Sequence, residues 1–339
     1  MPFVSASALL LLGLLPVFAF LLALILLDSY KLVRMRLVAQ VIVAGGVAAV
    51  ASLVVNHQLE VGAGVDGATL TRYVAPVIEE LLKGSVIVLL IARSRVGFLV
   101  DAAIFGFAVG AGFAAVENIH YFASLRDLSV PLWLVRGFGT AVMHGSVTAI
   151  MAIIAKLLEE LQGGARSWVF VPGLLAATIL HSVFNHFFFT PTVSTVLILV
   201  VLPALFVAVF HLSENRTRDW LGTGFDADAE LLELIGSGKV AEDRIGAYLQ
   251  ELRERFPPTV VADMLCLLRL RLELSIRAKG ILLARQSGFE LPADPETDAR
   301  FAELHYLEHS IGRTGLLAMS PLFHFSDRDL WQHHMIQKG

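Results

Sequence analysis

The chain has 339 residues, of which 56% are hydrophobic and 17% charged, with a net charge of −4 and a mean hydropathy of +0.71. A soluble globular protein carries about 25% charged residues, so this composition excludes that class and indicates a polytopic membrane protein. The single cysteine, Cys266, excludes an intramolecular disulfide and gives no support to a thiolate metal cluster. The apolar segment 1–28 is interpreted as a span rather than a cleaved signal, because its core is long and no basic stretch precedes it.

Apolar segments long enough to cross a bilayer predict an all-α polytopic membrane protein with about seven transmembrane helices. Their approximate bounds are 4–27, 37–56, 70–92, 98–122, 132–156, 168–189 and 192–212. After residue 212 the chain becomes more polar, and helical patterns appear near 227–235, 241–256, 259–286 and 296–318. We therefore predict a transmembrane helical domain at 1–212 and a small cytoplasmic helical tail domain at 213–339. Alternation with period two at 267–275 leaves a strand open there.

The distribution of basic residues predicts the orientation in the membrane. Connections after the first, third, fifth and seventh spans are rich in Lys and Arg: Lys31, Arg34, Arg36, Arg93, Arg95, Lys156, Arg166, Arg216 and Arg218. The alternate connections hold only Arg72 and Arg126. This asymmetry places the N-terminus outside and the C-terminal tail in the cytoplasm of what we expect to be a bacterial inner membrane.

Three charged residues, Glu79, Glu80 and Lys83, lie near the middle of the third span. A charge at the bilayer centre costs about 2.5–3.5 kcal/mol on insertion scales, so these side chains must face the bundle interior or a wet cavity. On a helix, Lys83 can reach either glutamate, so it could neutralise one and leave the other as a base. A buried ion pair that only fixes helix packing is the alternative.

Three later spans add further polar side chains. Glu117 lies near the end of the fourth, His144 near the middle of the fifth, and His181 and Asn185 one turn apart on the sixth, where Asn185 can orient His181. Counted inward at about 1.5 Å per residue, the glutamates and histidines fall in the outer half or middle of a core about 30 Å thick. Carboxylates and imidazoles at a similar depth in the membrane are suited to binding a metal ion or to general acid–base catalysis.

These residues, in this order, resemble the PrsW family of intramembrane proteases, which belongs to a wider group with the CAAX-processing (Abi-type) proteases. The family pattern is E-E-x-x-K on one helix, F-x-x-x-E-N on the next, then H, then H-x-x-x-D/N. The chain matches it with Glu79, Glu80, Lys83, Phe113, Glu117, Asn118, His144, His181 and Asn185. The CAAX branch more often shows E-E-x-x-x-R and F-x-x-x-H, so Lys83 and Glu117 favour the PrsW branch. The resemblance covers about residues 70–190.

The resemblance implies hydrolysis of peptide bonds in membrane-anchored substrates, such as single-span proteins, with regulators such as anti-sigma factors as the suggested class. We expect Glu79 or Glu80 to activate a water, and His144 and His181 to hold it or polarise the carbonyl. Glu117 and Asn185 would orient the histidines. If a metal is used, His144, His181 and Glu80 would bind Zn²⁺, and a metal-free mechanism stays equally open.

Two other functional classes remain open, a proton-coupled transporter and a non-catalytic membrane receptor or scaffold. A proton relay favours titratable groups at staggered depths, whereas the inner half of the predicted bundle is nearly empty of them. In the tail, His305, Glu308 and His309 match the inverted zinc-protease motif H-x-x-E-H, but their segment is typical of a solvated amphipathic helix. The tail lacks a strong basic stripe, so we expect no nucleic-acid partner. The expected partners are the lipid bilayer and a single-span membrane protein substrate.

Overall fold

The computed structural model describes residues 5–31, 33–124, 129–162, 167–289, 291 and 295–322. Within these ranges the chain is helical and has no β-strand, which confirms the all-α fold class and excludes the strand at 267–275. Arg126 and Arg166, used above to predict the orientation, lie outside the described residues. The main α-helices, labelled in chain order, are α1 (Ala6–Leu27), α2 (Met35–Val61), α3 (Ala75–Ala92), α4 (Leu99–Ser124), α5 (Val142–Gln162), α6 (Phe170–Asn185), α7 (Pro191–Gly236), α8 (Arg244–Leu252), α9 (Pro258–Gln286) and α10 (Thr297–Ala318).

Among the described residues, six helical stretches are long and apolar enough to cross a membrane. They are Ala6–Leu27, Met35–Val61, Leu99–Ser124, Val130–Gln162, Ser167–Asn185 and Pro191–Gly236. The remaining predicted span, near 70–92, is helical but is not among the six, and it is the one that carries Glu79, Glu80 and Lys83. The protein is therefore an all-α polytopic membrane protein in which the helix with these three charged residues packs against the apolar ones.

Two π-helical segments lead directly into helices of the bundle. Leu70–Val74 leads into α3, and Val135–Ala141 leads into α5. Asp66 caps the short turn before the first segment, and hydrogen bonds from the Thr69 hydroxyl and backbone N–H lower the pKa of its carboxyl below the ordinary value. π-helical segments are rare and frequently occur at functional sites. The starts of α3 and α5 are therefore candidate positions for a functional site.

Helix α4 is the centre of the membrane bundle. Every residue from Leu99 to Ala114 is buried, because α4 packs against α1, α2 and α5. Its glycines permit backbone contact: a Cβ on Gly106 would lie 2.6 Å from Ala149 Cα, and one on Gly110 would meet the His144 carbonyl. Gly106 and Gly110 therefore lie at close helix contacts of the kind that small residues permit in a membrane.

The chain separates into two compact units, Met1–Ser213 and Glu214–Gly339. Helix α7 runs through this boundary as one helix of 46 residues. The prediction of separate helices at 192–212 and 227–235 is therefore wrong, because the change in polarity near residue 212 alters the surroundings of the helix without breaking its backbone. In the second unit, α9 and α10 pack together around Met264, Leu267 and Leu304.

Candidate active site

A cavity of about 850 Å³ opens within the membrane bundle. Its lining includes Glu79, Glu117, His144, His181 and Asn185, which come from four different helices. The sequence predicted these side chains in one slab, and the antiparallel helices do bring them to one end of the bundle. Glu79 and His144 lie near the starts of α3 and α5, whereas Glu117 and His181 lie near the ends of α4 and α6.

Glu80 does not line this cavity, because its side chain points into the protein. Glu80 and Lys83 are both 0% exposed, and 2.5 Å separates Glu80 Oε1 from Lys83 Nζ. His181 Nδ1 lies 2.8 Å from the same carboxylate oxygen. Since an ionised carboxylate can only accept, His181 donates from Nδ1, and in the neutral ring Nε2 keeps a lone pair.

Glu79 faces that lone pair across the edge of the cavity. Its Oε2 lies 3.8 Å from His181 Nε2, while its Oε1 accepts a hydrogen bond from Asn56 Nδ2 at 3.5 Å. Two acceptors that face each other repel unless a donor or a cation lies between them. The arrangement of Glu79 and His181 therefore favours a water molecule, a proton or a metal ion at this position.

His144 lies between a cation and a carboxylate. Lys83 Nζ is 3.2 Å from His144 Nδ1, and Glu117 Oε2 is 3.0 Å from His144 Nε2. An ammonium can only donate, so these partners assign the proton of the neutral ring to Nε2, which donates to Glu117. The His144 ring also packs edge to face against the ring of His181, with 4.8 Å between their centroids.

Arg136 is a further member of the polar centre, and it was not among the site residues predicted from the sequence. Its Nη2 lies 3.7 Å from Glu117 Oε2, and its guanidinium stacks 3.8 Å from the centre of the Tyr121 ring. Arg136 Nε donates to Asn118 Oδ1 at 2.9 Å, and Asn118 Nδ2 donates to Gly13 O at 2.7 Å. Asn118 therefore bonds to the backbone of a neighbouring helix, α1. The sequence does contain a signal for Arg136, because it is a lone cation in an apolar span that also contains His144.

Of the three carboxylates at this centre, two are paired with a lysine or an arginine and one is not. Glu80 pairs with Lys83, and Glu117 pairs with Arg136. Among the described residues, Glu79 has no lysine or arginine nitrogen within 4.0 Å, and its nearest ring nitrogen belongs to His181. Glu79 is therefore the carboxylate that is available to a cation or to a reacting water.

The donor set at the cavity fits a divalent metal ion. Glu79, His144 and His181 are the residues of the described chain that offer three ligand atoms, all within 4.8 Å of one another. Two imidazoles and one carboxylate form a common catalytic zinc set. Glu80 would hold His181 through Nδ1, as carboxylates commonly do for metal-bound histidines. The sequence assigned Glu80 to the metal, but Glu80 is bonded by Lys83 and His181, and Glu79 takes the place at the cavity.

Asn185 has a different partner from the predicted one. Its Nδ2 donates to Thr71 O at 2.9 Å, whereas His181 bonds to Glu80. The expectation that Asn185 orients His181 is therefore wrong, although Asn185 does line the cavity. Asn185 instead attaches α6 to the π-helical segment that precedes α3.

Two side chains of the H-x-x-E-H sequence in the tail form hydrogen bonds with protein groups. His305 donates from Nδ1 to Phe301 O at 2.7 Å, and Glu308 accepts from Arg271 at 2.6 Å. The sequence predicted a solvated amphipathic helix, and Glu308 instead pairs with Arg271 of the neighbouring helix α9.

The opposite end of the membrane bundle also holds buried charges. Lys156 and Glu159 form an ion pair at 2.7 Å, and Asp101 accepts from the backbone of Gly97 at 2.9 Å. The fifteen residues between Asp101 and Glu117 on α4 include no titratable side chain, although they span about 24 Å. Helix α4 therefore offers no side chains for a proton relay between its two ends.

Fold and site together define a polytopic helical membrane protein with a buried histidine–carboxylate centre beside a cavity. A comparison with protein families matches residues 31–210 to the description "PrsW family intramembrane metalloprotease". The matched region is more than half of the chain, so the protein belongs to the PrsW family and is an intramembrane peptidase. Neither the curated proteins nor the solved structures gave a match.

Proposed function

We propose that the cavity beside Glu79, Glu117, His144 and His181 is where a peptide bond of a membrane-anchored protein is hydrolysed. The observation that carries this proposal is the approach of Glu79 Oε2 to His181 Nε2, which lie 3.8 Å apart at the wall of the cavity. This pair lies within reach of a substrate, whereas the Glu80–Lys83 pair behind it is fully buried.

We propose Zn²⁺ as the cofactor, held by Glu79, His144 and His181. When bound, such an ion supplies a Lewis acid and lowers the pKa of a water molecule. Ligation by His144 Nε2 would require the opposite tautomer, in which the ring proton lies on Nδ1 and the Lys83 ammonium no longer donates to that atom. The Glu80 carboxylate keeps His181 in the tautomer that presents Nε2 towards the cavity.

Glu117 is the carboxylate that we assign to proton transfer. It lines the cavity, its side chain is 16% exposed, and it is not in the set of possible metal ligands. It would accept a proton from the attacking water as the oxygen bonds to the scissile carbonyl carbon. It would then return this proton to the leaving amine as the C–N bond breaks. Arg136, which stacks on the Tyr121 ring, would hold the position of this carboxylate.

For the substrate we propose a single-span membrane protein that is cut on its extracytoplasmic side, with regulators such as anti-sigma factors as the suggested class. The distribution of Lys and Arg supports an orientation in which the cavity lies in the outer half of a bacterial inner membrane and the tail lies in the cytoplasm. A cavity within the bundle would admit an extended peptide while it keeps bulk water and lipid away from the reacting bond.

The test is cleavage of a labelled single-span substrate by the purified full-length protein in proteoliposomes. We expect Glu79→Gln and His144→Ala to abolish cleavage while Glu60→Gln, an exposed carboxylate on the same cavity, cleaves like the wild type. A strong chelator should remove activity, and added Zn²⁺ should restore it. Full activity of the metal-free protein would overturn the zinc assignment, and full activity of Glu79→Gln would overturn the proposed site.

A further inference from the structure

Pro76 creates a gap in the backbone hydrogen bonds at the start of α3. It follows the first residue of that helix and has no backbone N–H. In a π-helix the N–H of residue 76 would bond to the Thr71 carbonyl, and in an α-helix it would bond to the Arg72 carbonyl. Both carbonyls therefore lack the donor that position 76 supplies in an uninterrupted helix.

Helix α6 supplies donors to these same two carbonyls. Ser182 Oγ donates to Arg72 O at 2.6 Å, and Asn185 Nδ2 donates to Thr71 O at 2.9 Å. Side chains three residues apart lie on one face of a helix, so both donors reach the segment together. Proline in a membrane helix is tolerated where polar side chains of a neighbouring helix satisfy the freed carbonyls.

The bonds from α6 to this segment lie one turn from the polar centre. His181, the residue before Ser182, bonds to Glu80 Oε1 at 2.8 Å. Helix α6 thus contacts this part of the chain at two places. Ser182 and Asn185 bond to backbone carbonyls of the π-helical segment before α3, and His181 bonds to the carboxylate of Glu80 on α3. Adjacent helix positions differ by about 100° in direction, so the rotation of α3 decides whether Glu79 or Glu80 faces the cavity.

We propose that Ser182 and Asn185 are positioning residues that set the rotation of α3 by bonding to the carbonyls freed by Pro76. Glu79 is thereby directed to the cavity and Glu80 to Lys83 and His181. This inference rests on the proposed function of the site. Under this proposal Asn185 acts by bonding to the backbone of the segment that leads into α3, and not by contacting the substrate.

The experiment restores the missing donor. Pro76→Ala supplies an N–H to the two carbonyls, so it should make Ser182 and Asn185 less necessary. We would measure kcat, KM and the melting temperature of Ser182→Ala/Asn185→Ala with Pro76 and with Pro76→Ala. Thr178→Val, one turn before Ser182 on the same helix, is the matched control for the loss of a polar side chain.

We expect the double variant to lose about 10- to 100-fold in kcat, as for a reacting group misplaced by a fraction of an ångström to an ångström. KM should change little, Thr178→Val should behave like the wild type, and Pro76→Ala should return most of the lost kcat. An equal loss of kcat with and without Pro76→Ala would overturn the proposal, as would a loss confined to KM. If the double variant fails to fold, Asn185→Ala is compared alone in the two backgrounds.

A parallel Glu79→Gln variant separates this inference from the proposed function. If Glu79→Gln retains activity, the site itself is wrong, and the rotation of α3 has no bearing on catalysis. If Glu79→Gln is inactive and Pro76→Ala gives no rescue, the site stands and only the positioning role of Ser182 and Asn185 fails.

Discussion

Glu80 and Lys83 form an ion pair with no exposed side-chain surface, and 2.5 Å separates the carboxylate oxygen from the ammonium nitrogen. The same ammonium contacts His144, and the same carboxylate contacts His181. The pair thus joins the two histidines of the site through groups that a substrate cannot reach. Its expected role in stability can be separated from the proposed role of Glu79 in chemistry.

Removal of one member of the buried pair should destabilise the protein strongly. Lys83→Met leaves Glu80 charged and without its cation, which costs about 3–5 kcal/mol for a buried pair. The measurement is the free energy of unfolding in mixed micelles. The matched control is Glu80→Leu/Lys83→Met, which removes both charges and should recover much of that stability without recovering activity. Equal stability of Lys83→Met and the wild type would contradict the pairing.

Metal content should distinguish the two adjacent glutamates. Glu79→Gln removes a proposed ligand, so the purified variant should hold little Zn²⁺. Glu80→Gln keeps an oxygen that can accept from His181 Nδ1, so it should keep the ion with affinity reduced about 10- to 100-fold, as for partners that support a ligand. Elemental analysis and titration with a chelator measure both. Loss of metal in Glu80→Gln with retention in Glu79→Gln would return the ligand role to Glu80.

Glycine at the contact of α2 with α4 should not tolerate a methyl group. A Cβ on Gly45 would meet the Val109 carbonyl, so Gly45→Ala must push the two helices apart and should cost about 1–3 kcal/mol. The neighbouring Gly46→Ala is the control, because its Cβ would lie 3.2 Å from the side-chain atom Val116 Cγ2, which can move. Thermal unfolding of the two variants measures the difference. A larger loss for Gly46→Ala would argue against this packing.

The single cysteine provides a test of the proposed orientation. Cys266 is exposed in the second unit, so a membrane-impermeant thiol reagent should label it only after spheroplasts are permeabilised. In a Cys266→Ser background, Gly67→Cys lies in an open position at the predicted outer end and should be labelled in intact spheroplasts. The reverse pattern of labelling would place the cavity at the cytoplasmic side.

The sequence predicted the helices and the set of polar residues better than it predicted their roles. Periodicity and apolar length determine where a helix forms, and a charge in an apolar span must turn inward, so Glu79, Glu80 and His144 could be selected. Neither rule fixes the rotation of a helix. Glu79 and Glu80 differ by about 100° around α3, and only the packed neighbours show which one reaches the cavity.

Two further roles depended on long-range contacts. Asn185 bonds to a backbone carbonyl that is free because of Pro76, a partner more than a hundred residues earlier. The proline was visible in the sequence, but the helix that compensates for it was not. Arg136 could be recognised as a lone cation, but its stacking on Tyr121 could not.

The complete burial of α4 from Leu99 to Ala114 has a consequence for biogenesis. When this segment enters the bilayer it is surrounded by acyl chains, and it must exchange all of them for protein as the other helices arrive. Half of its sixteen residues are alanine or glycine, which permit close contact with neighbouring backbones. We therefore expect Glu117, which lies beyond this stretch on α4, to reach His144 and Arg136 only when the helices around α4 have closed.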